Sequence, residues 1–115
     1  MKREILFRGK CPTSGEWFFG FYFIDGFGNH CITDNKCNLH EVDPETVGQY
    51  TGLQDKNGVK IFEGDYINIF DDKGRAYGHG DVSFIRGGFQ CNDLVLQDVY
   101  NENLTIEVTG NIHED

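Results

Sequence analysis

Apolar and polar residues alternate with a period of two along most of this chain, in short runs that stop at glycine, asparagine or aspartate. That period belongs to strands, whose successive side chains point to opposite faces. Leu104, Ile106 and Val108 alternate with Thr105, Glu107 and Thr109, which predicts a strand with one wet face. Residues 4–8 and 78–85 alternate as well: Ile5 and Phe7 oppose Leu6, and Val82 and Phe84 oppose Ile85. Arg86-Gly87-Gly88 ends the second of these, and one or two further strands are expected within residues 89–99. Residues 16–24 are different. Trp17, Phe19, Phe21 and Phe23 fall on one face and Phe18, Tyr22 and Ile24 on the other, so this strand is expected to be covered on both sides. Residues 12–15 read as a turn and 25–29 as a loop. A short strand follows near residues 30–33, and residues 34–41 read as polar and irregular. No segment sustains a helical period.

The densest punctuation lies in residues 42–69, VDPETVGQYTGLQDKNGVKIFEGDYINI. Asp43 can cap a helix start, Pro44 suits the first helical position, and Glu45 favours the positive end of the helix dipole. Gly48 follows too soon for more than one turn. Residues 49–53 read as extended, and Asn57-Gly58 predicts a hairpin turn because both residues tolerate positive φ. Val59 and Ile61 alternate with Lys60 on the returning strand. Glu63-Gly64-Asp65 reverses the chain again, residues 66–70 form the next strand, and Asp71-Asp72-Lys73-Gly74 is a further turn. The pattern as a whole predicts a mainly β fold of short strands and tight hairpins, a small SH3-like barrel or a sandwich, with a one-turn helix near Asp43. The turns within residues 59–112 are those of a five-stranded SH3-like barrel.

Three blocks carry a family resemblance. VDPETVGQYTGLQDKNGVKIFEGDYI resembles the central segment of the YopX family, small proteins of bacteria and of their phages and prophages. REILFRGK followed by GEWFFGFYF is similar to the family's opening block, and EVTGNIHED to its closing one. Residues 76–103 are the least recognisable. The resemblance implies a mostly-β fold and a phage-associated origin, and it brings no activity and no catalytic residues. The chain is expected to be a single YopX-like domain over residues 1–115, or two lobes, about 1–41 and 42–115, sharing one core.

Composition narrows this picture. At 115 residues there is enough chain for a real core. Met1-Lys2-Arg3 leads straight into a strand pattern, and no apolar run approaches the roughly 20 residues that a spanning helix needs. A cytoplasmic protein with no membrane contact is therefore expected, with Cys11, Cys31, Cys37 and Cys91 as reduced thiols. The net charge of −9 is unevenly laid out: residues 1–10 carry four basic groups and one acid, whereas residues 91–115 carry six acids and no lysine or arginine. Such a chain is poorly suited to gripping a phosphate backbone, which needs a basic groove.

Candidate chemistry is sparse. His30, Cys31, Cys37 and His40 are competent zinc ligands, but Cys-x5-Cys-x2-His lacks the paired Cys-x2-Cys knuckles of a structural zinc site, so these are expected to be unliganded loop and edge residues. Cys11 and Cys91 are expected to be small buried hydrophobes. Glu63, Asp65, Asp71, Asp72, His79 and Asp81 gather acids and one imidazole around a hairpin, where acid–base or metal-dependent hydrolysis is conceivable. Turns call for the same acids. Gly26-Phe27-Gly28 has no following helix to supply a phosphate nest. Gln49, Tyr50 and Thr51 could form a recognition surface or serve folding alone. No residue is assigned a catalytic, cofactor-binding or metal role, and no cofactor is expected.

The sequence thus points to a non-enzymatic phage- or prophage-type binding or assembly protein acting through protein–protein contacts. Its first expected partner is itself: a small domain can readily cover only one face of residues 17–24, which would leave Phe18, Tyr22 and Ile24 in water, and the basic start and acidic end would suit a head-to-tail contact. The alternative is a second lobe that folds back over the strand and covers it internally. A host or phage protein is the other partner class. The rivals are a single-stranded nucleic-acid module that stacks bases on Tyr22 or Phe27, a metal-dependent hydrolase at the acidic hairpin, and an acidic DNA mimic.

Overall fold

One device closes four of the hairpins. In each, an aspartate opens the loop and its Oδ1 accepts the backbone N–H groups two and four residues on. Asp25 accepts from Phe27 and Asn29, Asp34 from Lys36 and Asn38, Asp55 from Asn57 and Val59, and Asp71 from Lys73 and Arg75, all at 2.8–2.9 Å. The fourth residue returns its N–H to the aspartate carbonyl and takes positive φ: Gly28 (85°), Cys37 (65°), Gly58 (81°) and Gly74 (77°). This is a tight turn followed by one left-handed residue, a three-residue hairpin connection. At residues 57–58 only Gly58 takes positive φ, so the turn starts at Asp55 and is not the two-residue form that Asn-Gly suggests. Residues 34–41 are not irregular. They hold the second copy of the device and a strand beyond it.

The four aspartates are all held below the ordinary carboxylate range. For Asp34, at about 2, the His40 ring is the main cause and the Asn38 amide adds to it. Asp25 is lowered chiefly by the Asn29 amide, and Asp71 by that of Arg75. Burial pushes Asp55 up, but the amides of Val108, Val59 and Asn57 outweigh it. A carboxylate lowered on folding adds stability above its unfolded value of about 3.9, and this is lost as pH falls through the folded value. The urea midpoint is therefore expected to fall steadily from about pH 4.5 to about pH 2, and Asp34→Asn should flatten the lower part of that fall. A midpoint independent of pH below 4 would show that the loops do not hold their aspartates ionised.

The computed structural model describes residues 4–92 and 94–114, with backbone alone at Tyr100 and Asn101. Lys2 and Arg3 of the basic start, and Asp93 and Asp115 of the acidic end, lie outside the described residues. The strands are β1 (Phe7–Lys10), β2 (Trp17–Ile24), β3 (His30–Thr33), β4 (Leu39–Glu41), β5 (Gly48–Gln54), β6 (Lys60–Phe62), β7 (Asp65–Phe70), β8 (Ala76–Ile85), β9 (Gly88–Cys91), β10 (Leu94–Val95) and β11 (Thr105–Asn111). All strand pairs with a described register are antiparallel. A single 3₁₀ turn, Pro44–Thr46, follows Asp43, whose side chain caps the Glu45 N–H as expected. One short helix, α1 (Leu96–Asn101), occupies residues expected to be strand. It is too short to show a period, and only Leu96 and Val99, three apart and both buried, betray it. No helix among the described residues is long and apolar enough to cross a membrane.

Two units divide the chain, Met1–Gly52 and Leu53–Asp115. In the first, the strand order is β4-β3-β2-β1-β5. In the second, it is β10-β9-β8-β7-β11, preceded by the hairpin around Asp55. The fold is mainly β, and its sheets do not close into a barrel. The core of the second unit is the inward face of β7 (Ile67, Ile69) with Ile61, Val82, Cys91, Leu96, Val99 and Ile106. Val59, expected to alternate with Ile61, precedes β6 and is exposed.

Each unit is built on a long strand that changes partner at a glycine. Residues 17–20 of β2 pair with β1 and residues 21–24 with β3. Residues 76–81 of β8 pair with β7 and residues 82–85 with β9. Gly20 and Gly80 stand at these junctions, and both are tightly approached. A Cβ on Gly20 would lie 2.0 Å from the Thr33 carbonyl oxygen, and one on Gly80 would lie 2.9 Å from Asn92 Nδ2. Strand glycines of this kind allow close passage where a sheet changes direction.

Candidate interaction surface

Strand β2 presents two aromatic faces that meet different fates. On one face, Phe7 packs against Tyr22 at 5.8 Å between ring centroids, and the Tyr22 hydroxyl is hydrogen-bonded to His30 Nδ1. Phe18 stacks on the His40 ring at 3.7 Å and 6°. His40 Nε2 lies 2.9 Å from Asp34 Oδ2, which ties the ring to its own hairpin loop. The flat imidazoles of β3 and β4 thus shield the face expected to stand in water. Phe18 and Tyr22 are half-buried, and Ile24 remains exposed.

The other face is the open one. At its start the Arg8 guanidinium sits 4.8 Å from the Trp17 ring centroid, with the Lys10 ammonium at 5.9 Å. Arg8 is itself buried, so its charge serves the sheet. Beyond Trp17 the rings emerge: Phe19 is 46 % exposed, Phe21 68 % and Phe23 38 %. The expectation that residues 17–24 are covered on both sides does not hold within one chain. Phe19, Gly20 and Phe21 line a cleft of about 380 Å³ together with Ile5 and Leu6, and Glu4, Thr33, Asp34 and Asn35 supply its polar lining. Phe27, at the tip of the Asp25 loop, is 93 % exposed.

The remaining candidates are dispersed by the fold. His30, Cys31, Cys37 and His40 do not converge. Cys31 is buried with its thiol 3.6 Å from the Asn29 carbonyl, His30 and His40 are engaged as above, and Cys37 is exposed on its loop. Among the described residues no three His, Cys, Asp or Glu side chains gather as a metal-holding group. Of the acidic set, Asp65 is buried at one end of β7 and accepts the Phe62 N–H at 2.7 Å, whereas Asp71 closes the loop at the other end. Five extended residues stand between them, which sets them about 20 Å apart. His79 and Asp81 share a face of β8, with Asn68 opposite His79. Tyr50 and Thr51 are buried, so they serve the interior and do not form a recognition surface. Cys91 is buried as expected and burial pushes its thiol up. Cys11 is not. The Ser14 and Thr13 hydroxyls hold its thiol down to about 6, with Sγ 3.4 Å from Thr13 Oγ1.

Cys37 is the one loop-closing residue of the four that is not glycine. A side chain in the left-handed region costs of order 1 kcal/mol, so Cys37→Gly is expected to stabilise the protein by about 0.5–1 kcal/mol. Chemical denaturation reads this directly. A loss of stability would mean that the thiol has a partner, a metal ion included.

A family model described as YopX protein matches residues 24–115. The opening block likened to that family, residues 3–23, falls wholly ahead of the match, while the central and closing blocks lie within it. No curated protein and no solved structure matches the chain.

Proposed function

The chain belongs to the YopX family, and from that premise we propose that it is a phage- or prophage-type binding and assembly protein, cytoplasmic and without a reaction of its own, whose first partner is another copy of itself. One observation carries this reading: the run Phe19, Phe21, Phe23 along an ordered strand, open to water on a single face. Contiguous exposed aromatics of this kind mark interaction sites, and each ring withdrawn from water contributes roughly 2–3 kcal/mol. The dispersal of the acids along β7 and of the His/Cys set over β3 and β4 speaks against hydrolysis. Against single-strand binding stands the use of Arg8 within the sheet and of the Tyr22 hydroxyl by His30.

Light scattering is expected to give a mass of two or more chains, reduced by Phe21→Glu without loss of folded structure. Tyr22→Glu is not an equivalent variant, because it strikes a half-buried, hydrogen-bonded ring. A one-chain mass at high micromolar concentration in moderate salt would sink the reading.

A further inference from the structure

We propose that two copies pair about a twofold axis beside Phe23, with Phe27 of each copy seated in the cleft between Phe19 and Phe21 of the other. The proposal rests on the reading of β2 as a self-association face and names its geometry. Phe27 is almost wholly in water, yet its backbone is not loose: its own N–H is bonded to Asp25 Oδ1 at 2.9 Å. A large apolar ring presented on a closed loop is a knob without a hole in its own chain. The cleft at Gly20 is the matching hole: Phe19, Phe21, Ile5 and Leu6 give it an apolar side, Glu4, Thr33, Asp34 and Asn35 a polar one, and it is roomy enough for a phenyl group.

The two cannot meet within one molecule. Gly20 and Ile24 lie about 13 Å apart along an extended strand, and Phe27 is farther on, beyond the strand end. A second copy of the chain supplies both partners at once. In a twofold contact, if residue i touches j then j touches i. Two β2 strands laid face to face and antiparallel, each with its Asp25 loop beyond the strand end, would bring Phe27 of each copy over residue 20 of the other. The point midway falls between residues 23 and 24, and Phe23, on the open face, stands beside it. There it would meet its own counterpart at the axis. Because each chain carries a net charge of −9, salt that screens mutual repulsion should strengthen this apolar pairing, whereas a contact between basic start and acidic end would weaken.

Size-exclusion chromatography with light scattering tests the scheme. Wild type is expected at two chains, with the dimer share rising with sodium chloride. Phe27→Ser is expected at one chain with its melting temperature unchanged, since that side chain packs on little else. In a background of Cys11→Ser and Cys37→Ser, Phe23→Cys should cross-link to itself on oxidation and yield a covalent dimer. A two-chain Phe27→Ser protein beside a one-chain Phe21→Glu protein would overturn the seating of Phe27 while leaving β2 as the contact face. A mass above two chains would overturn the twofold axis, and a one-chain wild type would overturn both this scheme and the reading it rests on.

Discussion

Asp55→Ala is expected to lower the unfolding free energy by about 2–4 kcal/mol, far more than the same change at Asp71. Both aspartates close their loops with Oδ1. Asp55 alone is known to reach across to another strand, with its second oxygen accepting the Val108 N–H of β11 at 3.0 Å. The next residue repeats the tie, since the Lys56 N–H donates to the Ile106 carbonyl at 2.9 Å and the Lys56 ammonium pairs with Glu107 at 3.4 Å. Asp55 is 7 % exposed, so truncation strands three amides in a place that water reaches poorly. An unmade buried hydrogen bond costs about 1–3 kcal/mol, and local relaxation at the loop recovers part of the sum. Asp71 is in a more exposed loop, and losing its cap should cost about 1 kcal/mol. Urea titrations of the two variants decide the matter. Equal losses would mean that the tie between the Asp55 loop and β11 contributes nothing.

Gly20→Ala should do as much or more. The added Cβ would sit 2.0 Å from the Thr33 carbonyl oxygen and 2.8 Å from its carbon, both backbone atoms with no rotamer to yield. β2 and β3 would have to part, and with them the stacked and hydrogen-bonded rings that join Phe18 and Tyr22 to the β3–β4 hairpin. A loss of about 3 kcal/mol or outright failure to fold is expected, in line with the largest single-residue effects of overpacking and strain. Gly26→Ala is the control, because nothing lies within 4 Å of the added atom. Thermal melts of the pair should differ by 10 °C or more, on the order of 4–8 °C per kcal/mol for a unit of this size. Similar melts would show that β2 and β3 are not held as close as described.

The parts of this fold that were legible in the sequence are those where a backbone need demands a particular residue type. Asp43-Pro44 marked a helical turn, Gly58 a left-handed residue, and Asp71 to Gly74 a reversal. Where the same need was met by an atypical residue, the signal vanished. The Asp34 loop has Cys37 where its three counterparts have glycine, and the hairpin it closes was read as irregular. Patterning failed differently on β2. A strand apolar on both faces does not reveal which face stays wet, and the deciding partners, His30 and His40, looked like candidate ligands and not like flat covers for Phe18 and Tyr22. Helix α1 was too short to beat an alternating pattern that also fits strand. As for the surface, the face expected to stand open was that of Phe18, Tyr22 and Ile24, whereas the open one is that of Phe19, Phe21 and Phe23. Their cleft at Gly20 depends on how β1 and β3 flank β2, and that is a fact of three dimensions.

The repeated aspartate loop also bears on how such a chain can diverge. Closure engages the first residue, the fourth, and the backbone of the others. The side chains at positions two and three take no part in it. At residues 26–27, 35–36 and 72–73 those side chains can be exchanged by mutation while the loop closes as before; at residue 56 they cannot, because Lys56 reaches Glu107. The hairpin tips are thus freely editable ground on a constant frame. Lineages under pressure to change partners are expected to accumulate differences at those three pairs first, with the aspartate and the left-handed residue left in place.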